Sequence, residues 1–260
     1  MTPTVKMLGT EEVRKLYFYQ AFGKPVAMSR IISFGKCNFA CPYCKRDCQF
    51  MDFAGNVIVA HDIPVSSVED ACRDAISKNQ VVRFSGGDPC MFPRETLALA
   101  KFVKENGGRF SIAHNGSAPR WSVQMAELGM ESAAIDIKGT RREIGTTAGI
   151  PAHTAEKMYE RSIETQDLLS SMGVLVDVRT PIFAHTTLED MLEIASDICR
   201  SGDRSKEFWT WRVYKPVRGC EWQKPDLDLI TWMIDEVKKE FPEMKIGLRA
   251  KWEPKGFLFF

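Results

Sequence analysis

The sequence lacks net charge, a membrane-length apolar run, internal repeats and any Pro/Gly/Ser-rich linker. Its 35 basic residues against 34 acidic ones leave +1 over 260 residues, whereas an electrostatic nucleic-acid binder carries a basic excess or stripe. There is no clear nucleic-acid signature, and only reading of an RNA by shape stays open. Without about 20 consecutive apolar residues there is no candidate transmembrane helix. Residues 1–25 carry Glu11, Glu12 and Arg14 instead of a signal-peptide core, so a cytoplasmic location is expected. Histidine is scarce: of the four, His61, His153 and His185 fall in loops without metal-ligand pairing. The missing linker predicts one domain over 28–260, with a C-terminal extension, after a lead-in of 1–27. Apolar residues at 44% and charged ones at 27% are the balance of an ordinary globule.

What is present is one element type repeated. Short β-branched or apolar runs (Met28–Phe34, Val81–Phe84, Arg109–Ala113, Ser132–Ile137, Val174–Thr180 and Phe208–Tyr214) alternate with helical patterns near 66–79, 93–106, 119–129, 153–172, 187–200 and 226–240. Ser66 or Ser67 is placed to cap the first helix. Thr186 and Glu189 form a capping-box pattern before the fifth. Gly107, Gly108 and Gly173 stand at helix ends. Six β-then-α units imply a parallel sheet with right-handed crossovers, whose chemistry lies at the carboxyl ends of the strands. At this level an open doubly wound sheet and a partial barrel look alike. Lys245–Ala250 is a candidate edge strand.

Cysteine is clustered. Of eight, Cys37, Cys41, Cys44 and Cys48 fall within twelve residues directly after the first strand. In a chain of this size that arrangement points to metal rather than to a disulfide framework. Soft thiolates suit zinc or iron–sulfur. A four-thiolate zinc site wants a second C-x-x-C pair, and none exists. Ferredoxin spacing is C-x2-C-x2-C, whereas the first gap here is three residues.

The C-x3-C-x2-C spacing with Tyr43 before the third cysteine resembles the signature of the radical S-adenosylmethionine (radical SAM) enzymes. The resemblance implies a partial (β/α)6 TIM-like barrel. It also implies a single 4Fe–4S cluster held by Cys37, Cys41 and Cys44, with one iron open to S-adenosylmethionine. One electron then cleaves the sulfonium C–S bond to a 5′-deoxyadenosyl radical that abstracts a hydrogen atom. Cys48 must then stay off the open iron. Later strand ends carry Gly86-Gly87-Asp88-Pro89, His114-Asn115-Gly116, Asp136-Ile137-Lys138, Arg179 and Tyr214-Lys215. Their order is similar to that of pyruvate formate-lyase activating enzyme and of activators of anaerobic ribonucleotide reductase. By that resemblance Asp88 would hold the cofactor's amino group, while Asp136, Lys138 and Arg179 would surround its ribose and carboxylate. Tyr43, Gly86, Gly87, Asn115 and Lys215 complete the implied cofactor site. Two positions depart from the group: Ala113 and His114 replace an Asp-Thr pair of a monovalent-cation site, and Lys215 replaces a histidine.

Cys220 is a candidate hydrogen-atom donor to a product radical, and Cys90 is expected near the same mouth. Cys72 and Cys199 lie on apolar helical faces and are read as packing. Trp209, Trp211 and Trp222 are candidates for the substrate mouth, with core as the commoner place for such residues. The tail Phe257–Phe260 is expected to pack on its own domain. The resemblance implies a flavodoxin or ferredoxin as electron donor. It favours a polypeptide residue as substrate, with a small metabolite as the alternative. A rival of another class is a non-catalytic carrier or redox sensor whose cluster is saturated by Cys48.

Overall fold

The computed structural model describes residues 3–44, 59–217, 219–249 and 257–260. The lead-in joins the sheet. Strands β1 (Thr4–Gly9) and β2 (Val13–Leu16) both run antiparallel to β3 (Ala27–Phe34), one along each half of it. Strand β4 (His61–Pro64) extends this edge by pairing with β1. From β3 onward the ladder is parallel: β5 (Val81–Gly86), β6 (Arg109–His114), β7 (Ser132–Asp136), β8 (Leu175–Ile182), β9 (Glu207–Val213) and β10 (Ile246–Arg249) follow in spatial order. The last segment is therefore a seventh parallel strand rather than an edge. The edge is β11 (Phe257–Phe259), antiparallel to β10.

The crossovers are α1 (Val65–Ser77), α2 (Pro93–Glu105), α3 (Pro119–Glu127), the short α4 (Ile144–Thr147) with α5 (Ala152–Ser171), α6 (Leu188–Ile198) and α7 (Leu227–Glu240). Each presents one apolar stripe to the sheet. Along α7, Ile230, Met233, Ile234 and Val237 recur at i, i+3, i+4 and i+7 and are all buried. The capping box of α6 sits one residue later than its expected place. Thr187 caps with Asp190 as its partner, while Thr186 Oγ1 accepts from Phe183 N–H at 3.0 Å. Helix α1 has no side-chain cap, because Pro64 rather than Ser66 precedes its first turn.

The strands bury both faces. On β8, Val176 and Val178 pack outward under the helices, while Asp177, Arg179 and Pro181 turn inward. Trp209 and Trp211 point outward into the core and are 1% and 0% exposed, which withdraws both from the substrate mouth. Beneath the sheet's hollow a 3-10 turn, Tyr17–Phe22, closes the base. Its Phe18 and Tyr19 pack with Leu16, Val81, Leu175 and Phe208, and Tyr19 Oη shares a hydrogen bond with Ser132 Oγ at 3.0 Å. Phe257 stacks on Phe208 and Tyr17, so part of the apolar tail lies against this base.

Candidate active site

The loop after β3 is seated by its backbone. Ala40 N–H donates to Ala148 O at 2.9 Å, and Asn38 links to the end of β6 through Asn115 Nδ2 and Ser117 Oγ, both at 2.7 Å. Gly86 and Gly87 were expected to let the backbone approach a ligand. What they approach is the loop itself. Gly87 N–H donates to Phe34 O at 2.7 Å and Asp88 N–H to Lys36 O at 2.6 Å. A Cβ on Gly87 would stand 2.1 Å from Lys36 O, and one on Gly86, at φ +110°, 2.2 Å from Phe34 N. Glycine is required where two backbones close to this distance.

Asp88 is 2% exposed, and its carboxylate accepts from three of the protein's own donors. Oδ1 accepts from His114 Nδ1 at 2.7 Å and Cys90 N–H at 3.0 Å, and Oδ2 accepts from Asn115 N–H at 2.9 Å. His114 Nε2 accepts from Ala118 N–H at 3.2 Å, so an imidazole proton belongs on Nδ1, facing Asp88. Burial opposes ionisation of Asp88, yet His114 and the two amides hold its pKa below the usual range. The side chain expected on the cofactor's amino group is thus a hub between two strand ends.

Beyond the loop the barrel encloses a cavity. Its lining includes Cys37, Cys41, Tyr43, Cys44, Gly86, Gly87, Asp88, Asn115, Asp136, Lys138, Arg179 and Lys215, which brings together every proposed cluster and cofactor residue. Cys220 is not among the lining residues. It stands one step behind, its thiol beside the hydroxyl of Tyr214, which does line the cavity. Cys48 lies outside the described residues. Cys90 is half-buried, with Sγ 4.0 Å from Ser117 Oγ, and Cys72 is buried in the core as expected. Tyr43 packs edge-on against Phe183 at 4.9 Å, and Trp222 lies 5.7 Å from it. His185 is exposed and its ring stacks on Phe183.

Charge is dense inside. Lys138 Nζ donates to Asp136 Oδ2 at 2.7 Å, while Arg179 Nε lies 3.5 Å from Asp136 and 3.4 Å from Asp177. Burial would raise the pKa of Asp136, but Lys138, Arg179 and Arg212 hold it well below the carboxylate range. Asp177 goes the other way, raised by burial. Burial also pushes the Cys37 thiol up to about 12 and Cys41 to about 11. Sequence reasoning passed over four lining arginines, Arg14, Arg83, Arg212 and Arg249. The available signal was an arginine inside an apolar strand run, as in Val81-Val82-Arg83-Phe84.

Two features fit an iron–sulfur cluster with a polar cofactor beside it. Three thiols, a soft donor set, share one wall of the cavity. Around them Tyr43 Oη, Asp136 Oδ1 and Arg179 Nη2 are buried without a hydrogen-bond partner among the described residues, as atoms awaiting a ligand would be.

Comparison with known proteins agrees. The chain is 25% identical over 122 residues to 7-carboxy-7-deazaguanine synthase of Methanocaldococcus jannaschii, a match covering 47% of this chain and 46% of that protein. It therefore spans about half the length of this curated relative. Its fold matches Streptococcus suis SuiB bound to S-adenosylmethionine with a TM-score of 0.63 at 14% identity, over 85% of this chain and 50% of that one. A domain of pyruvate-formate lyase-activating enzyme from Bacteroides vulgatus matches with a TM-score of 0.52 at 14% identity, over 65% and 99%. The family model of the radical SAM superfamily matches residues 31–198, well over half of the sequence. A partial barrel with a cysteine loop at the end of its first parallel strand is what that match requires, and the chain belongs to the radical SAM superfamily.

Proposed function

We propose that this chain cleaves S-adenosylmethionine at a 4Fe–4S cluster held by Cys37, Cys41 and Cys44, and that its substrate is a small molecule drawn into the barrel. The supporting observation is the lining of the cavity, which joins the three cysteines to Arg83 on the inward face of β5 and to Leu16, the residue before the packed turn Tyr17–Phe22. When bound, the cluster supplies the electron that breaks the sulfonium C–S bond and yields a 5′-deoxyadenosyl radical able to abstract a hydrogen atom.

The chain's own residues do the rest. Cys37, the exposed member of the three, leaves a short path for an electron from a flavodoxin or ferredoxin. Asp136 and Lys138, already paired, present an acceptor and donors to a ribose, and Arg179 presents an unpartnered Nη2 to a carboxylate. Asp88 acts through the loop it holds, keeping Asn115 and the Gly86–Gly87 turn against the cysteines. The aromatic group of Tyr43, Phe183 and Trp222 excludes water beside them. A polypeptide residue as substrate, on the pattern of glycyl-radical activation, is favoured by the order of the strand-end motifs. It would have to thread its target residue past these side chains.

The test is anaerobic reconstitution, reduction and addition of S-adenosylmethionine. Formation of 5′-deoxyadenosine, with a changed cluster spectrum on cofactor binding, is expected. A cluster that neither responds to the cofactor nor cleaves it would identify a saturated carrier and overturn the reading.

A further inference from the structure

The cavity floor is more cationic than the cofactor can account for. Among the described residues, eight basic side chains line the cavity against two carboxylates, Asp88 and Asp136. Asp88 accepts from three of the protein's own donors, and Asp136 carries Lys138 and Arg179. Arg83, on the inward face of β5, is 7% exposed and makes neither a hydrogen bond nor an ion pair with any described residue. Arg212 and Arg249 are register partners on β9 and β10, and Arg212 faces Pro181, nearer the carboxyl end of β8 than Arg179. Burial, then Arg179, brings Arg83 down to about 9, and burial, then Arg212, brings Arg249 down to about 9. S-adenosylmethionine brings one carboxylate but also a sulfonium and an ammonium, so it adds no net negative charge.

A buried guanidinium without a partner is costly, and a fork of N–H donors matches carboxylate and phosphate oxygens. We propose that Arg83, which in register faces Leu175 on β8 and so lies four residues below Arg179, forms a substrate-anion site beneath the cofactor, taking a carboxylate or phosphate group. The substrate enters anion first, and its reacting carbon stays above, level with Arg179 and the cysteine loop. This deepens the radical SAM reading given above and rests on it for the substrate's role.

The experiment uses reconstituted enzyme with saturating S-adenosylmethionine, so that the cofactor's carboxylate site is filled. Inorganic phosphate and succinate are titrated at constant ionic strength, with succinamide as the neutral comparator, and the thermal midpoint and calorimetric affinity are read. One or both anions raise the midpoint, succinamide does not, and the stronger of the two identifies the headgroup. Arg83→Gln weakens anion binding at least about tenfold, the loss of roughly one charge-assisted hydrogen bond, while Arg83→Lys retains most of it. Without anion, Arg83→Gln melts higher than wild type, because an unpaired buried charge has gone; a purely structural arginine would give the opposite shift. No response of the wild type to either anion, or equal affinity in Arg83→Gln, overturns the site. Cleavage of S-adenosylmethionine by the same wild-type samples separates the two readings. Cleavage without anion binding removes this site alone, and anion binding without cleavage removes the radical function alone.

Discussion

Replacing Asp88 by Asn tests whether this carboxylate supports the fold or touches the cofactor. The substitution keeps shape and removes charge. The amide oxygen can stay where Oδ1 accepts from His114 and Cys90, but the NH2 then faces Asn115 N–H, donor against donor. Swapping the two ends leaves His114 and Cys90 facing it instead. The imidazole cannot relieve this by changing tautomer, because its Nε2 already accepts from Ala118 N–H. One buried donor left unmet costs about 1–3 kcal/mol. The surviving bonds also become neutral ones, roughly half as strong as charge-assisted bonds. The sum is a loss of about 2–4 kcal/mol. At about 2–4 °C per kcal/mol for a chain near this size, the midpoint falls by about 4–16 °C. The sign with pH follows from the lowered pKa of Asp88. Its contribution is present above the ordinary carboxylate value of about 3.9 and is lost as pH falls through the folded value. The gap between wild type and variant therefore closes in acid. Differential scanning calorimetry across pH, paired with cofactor titration of the reconstituted enzyme, checks both parts. A variant that melts within a degree of wild type while binding S-adenosylmethionine poorly would refute the argument and return Asp88 to the ligand.

Cys44→Ala is expected to abolish iron incorporation and cofactor cleavage, whereas Cys48→Ala should spare both; iron analysis and 5′-deoxyadenosine assays decide, and reversed outcomes would reassign the ligands. Gly149 sits at φ +59° with a substituted Cβ 2.1 Å from Ala40 O. Gly149→Ala should therefore displace the cysteine loop and lower cluster content, while far-UV circular dichroism stays near wild type. Glu207 is raised by burial from 4.5 to about 7. The folded state thus holds a proton the unfolded chain has lost, and stability falls as pH rises from about 4.5 to about 7. Glu207→Gln should remove that slope and gain as much as about 3 kcal/mol at pH 8, with little change near pH 4, in denaturant titrations.

Much of the architecture was legible because it is written in local periodicity. The helix expected over 93–106 is Pro93–Glu105, and the strand expected over Phe208–Tyr214 is Glu207–Val213. Alternation and 3.6-residue spacing are properties of neighbouring residues, so they survive without knowledge of the fold. End effects were less secure. Thr186 and Thr187 are equivalent as chemistry, and the choice between them depends on where Phe183 N–H finds its acceptor. The cysteine spacing, being local as well, identified the family before any coordinates.

Roles set by distant partners were not legible in the same way. Asp88 reads as a ligand to an ammonium group, and only the fold shows that it also accepts from His114, Cys90 and Asn115. Gly86 and Gly87 read as room for a ligand until Phe34 and Lys36 are seen to occupy that room. Cys220 reads as part of the mouth, and the fold sets its thiol beside Tyr214, which lines the cavity while Cys220 does not. The depth of Arg83 emerges only when the strands are aligned in register, where it faces Ser111, Ser132 and Leu175 and lies four residues below Arg179. The sequence alone determined the order of elements and the metal-binding chemistry, because both depend on residues a few positions apart. The tertiary structure decided which polar groups are satisfied and which still face the cavity, because hydrogen bonding and charge compensation depend on distance in space.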